Sequence, residues 1–157
     1  MIKKEIFLVE DSSDFRQLVR TIFNKFLPEY SVRSFQGGSE LYQYMVMQSS
    51  DGYTGKRPSL IIMDLNLPTL DGYELLKLIR QTPANAFTEW RSLPVVMLSG
   101  SSRQQDVNRC YQAGANSFFV KPVDFEKLRQ LLETICHYWV DHNILAQVET
   151  DLPHMAS

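Results

Sequence analysis

The chain has 157 residues, 44% of them hydrophobic and 22% charged, the balance of a soluble globular protein of one ordinary domain with some length to spare. Lys+Arg 16 against Asp+Glu 18 leave a net charge of −2, so no positive field gathers phosphates and non-specific nucleic-acid binding is not expected. No apolar run approaches the ~18 residues of a membrane span, and the opening MIKKEIFLVED lacks the small-residue cleavage site of a signal peptide. From the N-terminus, Glu5 to Val9 is an apolar run suited to a strand buried on both faces. Phe15, Leu18, Val19, Ile22, Phe23 and Phe26 then recur at helical spacing, with Ser12 and Ser13 as candidate caps and Pro28 as a stop. Ser31 to Phe35 reads as a second strand, Gly37-Gly38 as a turn, and Leu41, Tyr44 and Met45 as the start of a second helix. A polar loop spans Ser49 to Pro58.

Leu60 to Met63 is the third strand, followed by a Pro-containing loop from Asp64 to Asp71 and a helix carrying Leu75, Leu76 and Ile79. Another loop, Thr82 to Ser92, leads to a fourth strand over Pro94 to Leu98. The next helix carries Val107, Cys110 and Tyr111, and Gly114 is placed to close it. Ser117 to Val120 is the fifth strand. Asp124 caps a last helix with Phe125, Leu128, Leu131, Leu132 and Ile135. Alternating strands and helices imply a parallel sheet covered on both faces by right-handed crossovers. Five such units fit an α/β, doubly wound, flavodoxin-like sheet of order 2-1-3-4-5. The main domain is expected over residues 1–138, with 139–157 as a C-terminal extension too short for a separate output domain. The terminal HMAS has the composition of a cloning remnant, and His154 carries no weight. Cys110 and Cys136 have no CxxC partner, which fits reduced thiols in a cytoplasmic protein.

In this architecture ligands bind beyond the carboxyl ends of the strands. Glu10 and Asp11 stand after strand one, Asp64 after strand three, Ser99 after strand four, and Lys121-Pro122 after strand five. Taken singly, each is an ordinary turn, cap or surface residue. Together they bring three acids, a hydroxyl and a lysine to one edge from four distant segments, which points to a site. Clustered carboxylates repel unless a cation lies among them, and an all-oxygen set suits Mg²⁺, with Mn²⁺ as a substitute. Asp64 can then serve as a carboxylate nucleophile that forms an aspartyl-phosphate. Lys121 would share the phosphoryl charge and the Ser99 hydroxyl would hydrogen-bond a phosphoryl oxygen.

The strings FLVEDSSD, IIMDLNLPTLDGYELLK, VVMLSGSS and AGANSFFVKPVD resemble, in order and at the right strand ends, the receiver domain of two-component response regulators. The resemblance covers residues 3 to 138. It implies that Glu10 and Asp11 are the acidic metal pair, with Glu10 acting through water, and that Asp64 is the phosphoacceptor. By the same resemblance the Asn66 backbone carbonyl is a further metal ligand, Ser99 the switch hydroxyl and Lys121 the site lysine, with a cis bond to Pro122. Pro68 and Asp71-Gly72 match the turn that ends the phosphorylation loop. Phe118 takes the switch-aromatic position, where a phenol is common; without a hydroxyl its ring can report the switch only by packing. Asn66 and Ser101 flank the site and are expected to tune hydrolysis.

The implied function is a response regulator that accepts a phosphoryl group from a histidine kinase and switches a protein-interaction surface. It is a phosphoacceptor, not an enzyme acting on a separate substrate. The alternative is a receiver-like interaction module that works without phosphorylation. A haloacid-dehalogenase-type phosphatase would need a second Asp where Asn66 stands, since an amide cannot deliver a proton. A flavodoxin-like flavin carrier would place the flavin phosphate against Glu10-Asp11. The long loop before strand three, the DLNLP string, Trp139 and the Leu152-Pro153 tail further resemble stand-alone regulators that partner phytochrome-type kinases. Leu131, Leu132, Ile135, Trp139, Ile144 and Leu145 offer more apolar surface than one helix face should use. This predicts a homodimer through helix five and the extension, together with strand five and helix four.

Overall fold

A computed structural model describes residues 3–48, 57–81 and 90–145. Five parallel strands lie in the order β2-β1-β3-β4-β5. They are β1 (Lys4–Val9), β2 (Tyr30–Phe35), β3 (Leu60–Met63), β4 (Val95–Ser99) and β5 (Ser117–Val120). The helices are α1 (Ser13–Phe26), α2 (Gly38–Gln48), α3 (Gly72–Gln81), α4 (Gln104–Ala113) and α5 (Phe125–Cys136). This is the flavodoxin-like arrangement expected, with strand and helix bounds displaced by a residue or two. Most of loops 49–58 and 82–92, and the residues after 145, lie outside the described residues.

Side chains alternate along each strand, and the alternation divides the core into two layers. Phe7, Val9, Ile61, Met63, Val95 and Met97 point into one layer, with Leu75, Leu76 and Ile79 of α3. Ile6, Leu8, Leu60, Ile62, Val96 and Leu98 point into the other, with Val19, Ile22 and Phe23 of α1 and Leu128, Leu132 and Ile135 of α5. β1, β3 and β4 are buried on both faces, which is why they read as unbroken apolar runs. β5 is an edge strand, half-buried through Phe119 and exposed at Val120.

The caps behave as their chemistry requires. Ser12 Oγ accepts from Phe15 N–H at 3.2 Å, while Ser13 is already helical. Asp124 accepts from Lys127 N–H at 3.0 Å. Gly114 ends α4 at φ 109°, where a side chain would be strained, and an added Cβ would lie 2.8 Å from Arg80 Cγ. Arg80 uses that close approach. Its guanidinium donates to the carbonyls of Gly114 (2.9 Å) and Leu93 (2.6 Å) and to Asn116 Oδ1 (2.8 Å). Burial lowers its pKa to about 10. Trp90, read from sequence as loop, begins a short 3₁₀ turn and is fully buried against the sheet.

α5 runs on into a wider π-helical turn, His137–His142. Trp139 and Val140 pack against the second core layer. Tyr30 Oη donates to Asp141 Oδ2, and Lys4 Nζ lies 3.3 Å from Asp141 Oδ1. Burial, followed by the Asp141 carboxylate, pushes the Tyr30 phenol above its ordinary pKa. The extension is thereby tied to the start of the sheet, and Trp139 is partly used by its own domain. Ile144 (93% exposed) and Leu145 remain at the surface.

Candidate functional site

β1, β3, β4 and β5 end at the same edge of the sheet because their registers are in step: Val9 pairs with Met63, Met63 with Met97 and Ser99 with Val120. The residues immediately beyond are Glu10, Asp64, Gly100 and Lys121. Glu10 N–H continues the ladder to Phe35 O at 3.0 Å, and Asp64 N–H does so to Val9 O at 3.0 Å. Carboxylate oxygens of Glu10, Asp11 and Asp64 come within 4.8 Å of one another. Lys121 joins them: Nζ lies 2.6 Å from Glu10 Oε1 and 3.1 Å from Asp64 Oδ2.

Glu10 is almost wholly buried, and its second oxygen, Oε2, has no hydrogen-bond partner among the described residues. A buried carboxylate oxygen without a donor is costly. Burial, then the neighbouring Asp64 carboxylate, raise the Glu10 pKa to about 7, with Lys121 opposing. For Lys121 burial is the largest single influence and lowers the pKa. The two acids together outweigh it, and the ammonium stays charged above its ordinary value. The orphaned oxygen and the three converging acids fit a hard divalent cation held by Glu10, Asp11 and Asp64.

Asn66 is exposed, and its backbone N–H donates to Asp64 Oδ1 at 3.2 Å. Ser99 is fully buried; its Oγ accepts from Ser101 N–H at 3.2 Å, which leaves its own proton to donate. Its carbonyl accepts from Lys121 N–H at 2.7 Å. The expected cis bond at Lys121-Pro122 is corrected: no peptide bond among the described residues is cis. The hydrogen bond to Ser99 already delivers the lysine from the end of β5 to the acids with a trans bond. Phe118, opposite Met97, is half-buried against the first core layer, while Phe119 packs into the second.

The loop that carries Asp64 is drawn tight. Gly72 N–H donates to Leu65 O at 2.8 Å, and Leu70 N–H donates to Pro68 O at 2.7 Å. Thr69 sits at φ 66°, uncommon for a β-branched residue. A Cβ on Gly72 would lie 2.3 Å from Asp64 O, so only glycine lets α3 begin against the backbone of Asp64.

Two site neighbours escaped the sequence reading. Phe15, counted there as one more apolar helix position, places its ring centroid 4.6 Å from Lys121 Nζ. Arg16 Nη1 donates to both Glu10 O (2.8 Å) and Asp11 O (2.9 Å). Their signal was proximity: both fall in the first turn after Ser12, immediately past the acidic pair.

Residues 6–133 match the family model described as response regulator receiver domain. The chain belongs to the response regulator receiver domain family. As a receiver domain it is a phosphoacceptor signalling protein of phosphorelay pathways, not a classical enzyme. It is 29% identical to the response regulator Rcp1 of Synechocystis sp., over 88% of this chain and 90% of that protein. It is similar in structure to the phosphorylated cyanobacterial phytochrome response regulator RcpA, with TM-score 0.78 and 29% identity over 93% of this chain and 100% of that one. The Mn²⁺-bound form of Rcp1 matches with TM-score 0.74 and 28% identity, covering 92% of this receiver and 99% of that chain. No helix among the described residues is long and apolar enough to cross a membrane.

Proposed function

We propose that Asp64 accepts a phosphoryl group from the phosphohistidine of a sensor kinase. The observation that carries this reading is the convergence of Glu10, Asp11 and Asp64 within 4.8 Å, with Lys121 Nζ 3.1 Å from Asp64 Oδ2. In the transfer, an oxygen of the Asp64 carboxylate bonds to phosphorus as the P–N bond breaks, and the leaving imidazole takes up a proton. Lys121 meets the charge on the phosphoryl oxygens, and the Ser99 hydroxyl donates to one of them. Mg²⁺, or Mn²⁺ in its place, would be held by Asp11, Asp64 and the Asn66 carbonyl, with Glu10 acting mainly through a bound water, and would supply further neutralisation of phosphoryl charge.

The switch follows from the same atoms. A phosphoryl oxygen that draws the Ser99 hydroxyl inward frees space toward β5. The half-buried Phe118 ring turns into it and changes the surface of α4, β5 and α5. Phosphorylation acts because it binds one of two arrangements better. Support for a phytochrome-type kinase comes from the likeness to Rcp1 and RcpA. We read residues 1–138 as the receiver and 139–157 as an extension, acting in the cytoplasm. The exposed Tyr111, Val120 and Val123 favour a homodimer across α4, β5 and α5, with Ile144 and Leu145 extending the surface.

Acetyl phosphate tests the site without any kinase. In Mg²⁺ the intact protein should gain one phosphoryl group, and chelation should abolish the gain. Asp64→Asn should take up none; uptake at the wild-type rate in Asp64→Asn contradicts the assignment.

A further inference from the structure

Among the described residues, the Lys121 ammonium meets Glu10 Oε1 at 2.6 Å, Asp64 Oδ2 at 3.1 Å and the Phe15 ring at 4.6 Å. Two of these neighbours are carboxylate oxygens and the third is an aromatic ring. The ring is held from both sides in sequence. Ser12 caps the Phe15 N–H, and Arg16 ties the same helical turn to the carbonyls of Glu10 and Asp11. Phe15 itself is half-buried against the second core layer. Its place is therefore fixed by the acidic turn and by packing, not by the lysine.

The three neighbours differ in what they do when a phosphoryl group arrives. The acids hold the lysine by charge but repel a phosphoryl oxygen. The oxygen must also win the ammonium from Glu10. A ring attracts a cation through its quadrupole, most strongly where water is excluded, and carries no net charge. It can hold the ammonium while the hydrogen-bond partner changes, without adding repulsion. The four-carbon stem of a lysine is flexible, so an ammonium that changes its hydrogen-bond partner gains from a neighbour that stays in place.

We propose that Phe15 is a positioning residue for phosphoryl transfer: its ring face keeps the Lys121 ammonium aimed into the site as Glu10 gives way to a phosphoryl oxygen. This rests on the reading of Asp64 as phosphoacceptor. The ring acts through the lysine and touches no reacting atom.

The test uses the intact chain, saturating Mg²⁺ and acetyl phosphate, so that kinase docking plays no part. Phenylalanine at position 15 is replaced by its mono-, di- and trifluoro analogues, which keep the ring's shape but progressively weaken its attraction for a cation. The rate of phosphoryl uptake should fall stepwise along the series, by roughly threefold to tenfold in all, with melting temperature unchanged. Phe15→Tyr should keep the rate within about twofold, while Phe15→Leu should match the trifluoro analogue. A flat rate across the fluorinated series overturns the proposal, even if Phe15→Leu is slow, because only packing would then matter. The parent reading fails separately. If wild type takes up phosphoryl but Asp64→Asn does so equally, Asp64 is not the acceptor and the proposal falls with it.

Discussion

Glu10 holds one oxygen on Lys121 and leaves the other, in a fully buried position, without a donor. Its pKa, raised to about 7 chiefly by burial and then by Asp64, has a consequence for stability. A folded-state pKa above the unfolded value of 4.5 means that the folded protein keeps a proton which the unfolded chain releases. The contribution of Glu10 to stability is therefore greatest below the unfolded value and declines as pH rises through the window up to about 7. With divalent metal chelated, urea unfolding of wild type and Glu10→Gln compared across this window should show this decline as their difference, on the order of a few kcal/mol. Glu10→Gln should flatten it, and an unchanged slope would show that Glu10 does not carry it. The acids themselves were legible in the sequence because each follows an apolar strand in a fold whose strand ends gather. Their mutual repulsion was legible as well; the burial of Glu10 with one oxygen unpartnered was not, since it depends on what the other segments place around that side chain. Phe15 and Arg16 were missed for a related reason. A helix pattern says which residues face inward, but not that the Lys121 side chain reaches from the end of β5 to the first turn of α1.

The loop between β3 and α3 shows the same division at the scale of an element. Its Pro68 and Asp71-Gly72 were readable as a turn. Why position 72 must be glycine was not, because the obstacle is the carbonyl of Asp64 itself, 2.3 Å from an added Cβ. Gly72→Ala should cost about 2 kcal/mol or more by forcing the start of α3 away. It should also slow phosphoryl uptake at Asp64 beyond what the stability loss explains. Stability within about 0.5 kcal/mol of wild type would contradict the close approach. The strand order followed from five alternating units, since crossover handedness leaves few topologies. The end of α5 did not follow. The sequence pattern there is apolar and helical, and nothing local announces that the turn over His137–His142 widens to bring Trp139 onto the core and Asp141 to Tyr30.

For the whole molecule, that docking reduces the apolar surface left for a partner but does not remove it. Val123 is fully exposed, and Tyr111 and Val120 are each 48% exposed. Sedimentation with and without acetyl phosphate should show a dimer that Val123→Asp disrupts. A monomer in both states, well above micromolar concentration, would contradict the proposed interface. The site does not depend on that interface, because every group proposed to act in it comes from one chain. Its central claim is chemical: the phosphoryl group resides on the carboxylate of residue 64. Borohydride reduces an acyl phosphate to the alcohol, so the protein phosphorylated in Mg²⁺ can be reduced, digested and mapped by mass spectrometry. Homoserine at position 64 is the predicted result. An aspartate intact at 64, with the reduced residue at 10 or 11 instead, would contradict the account.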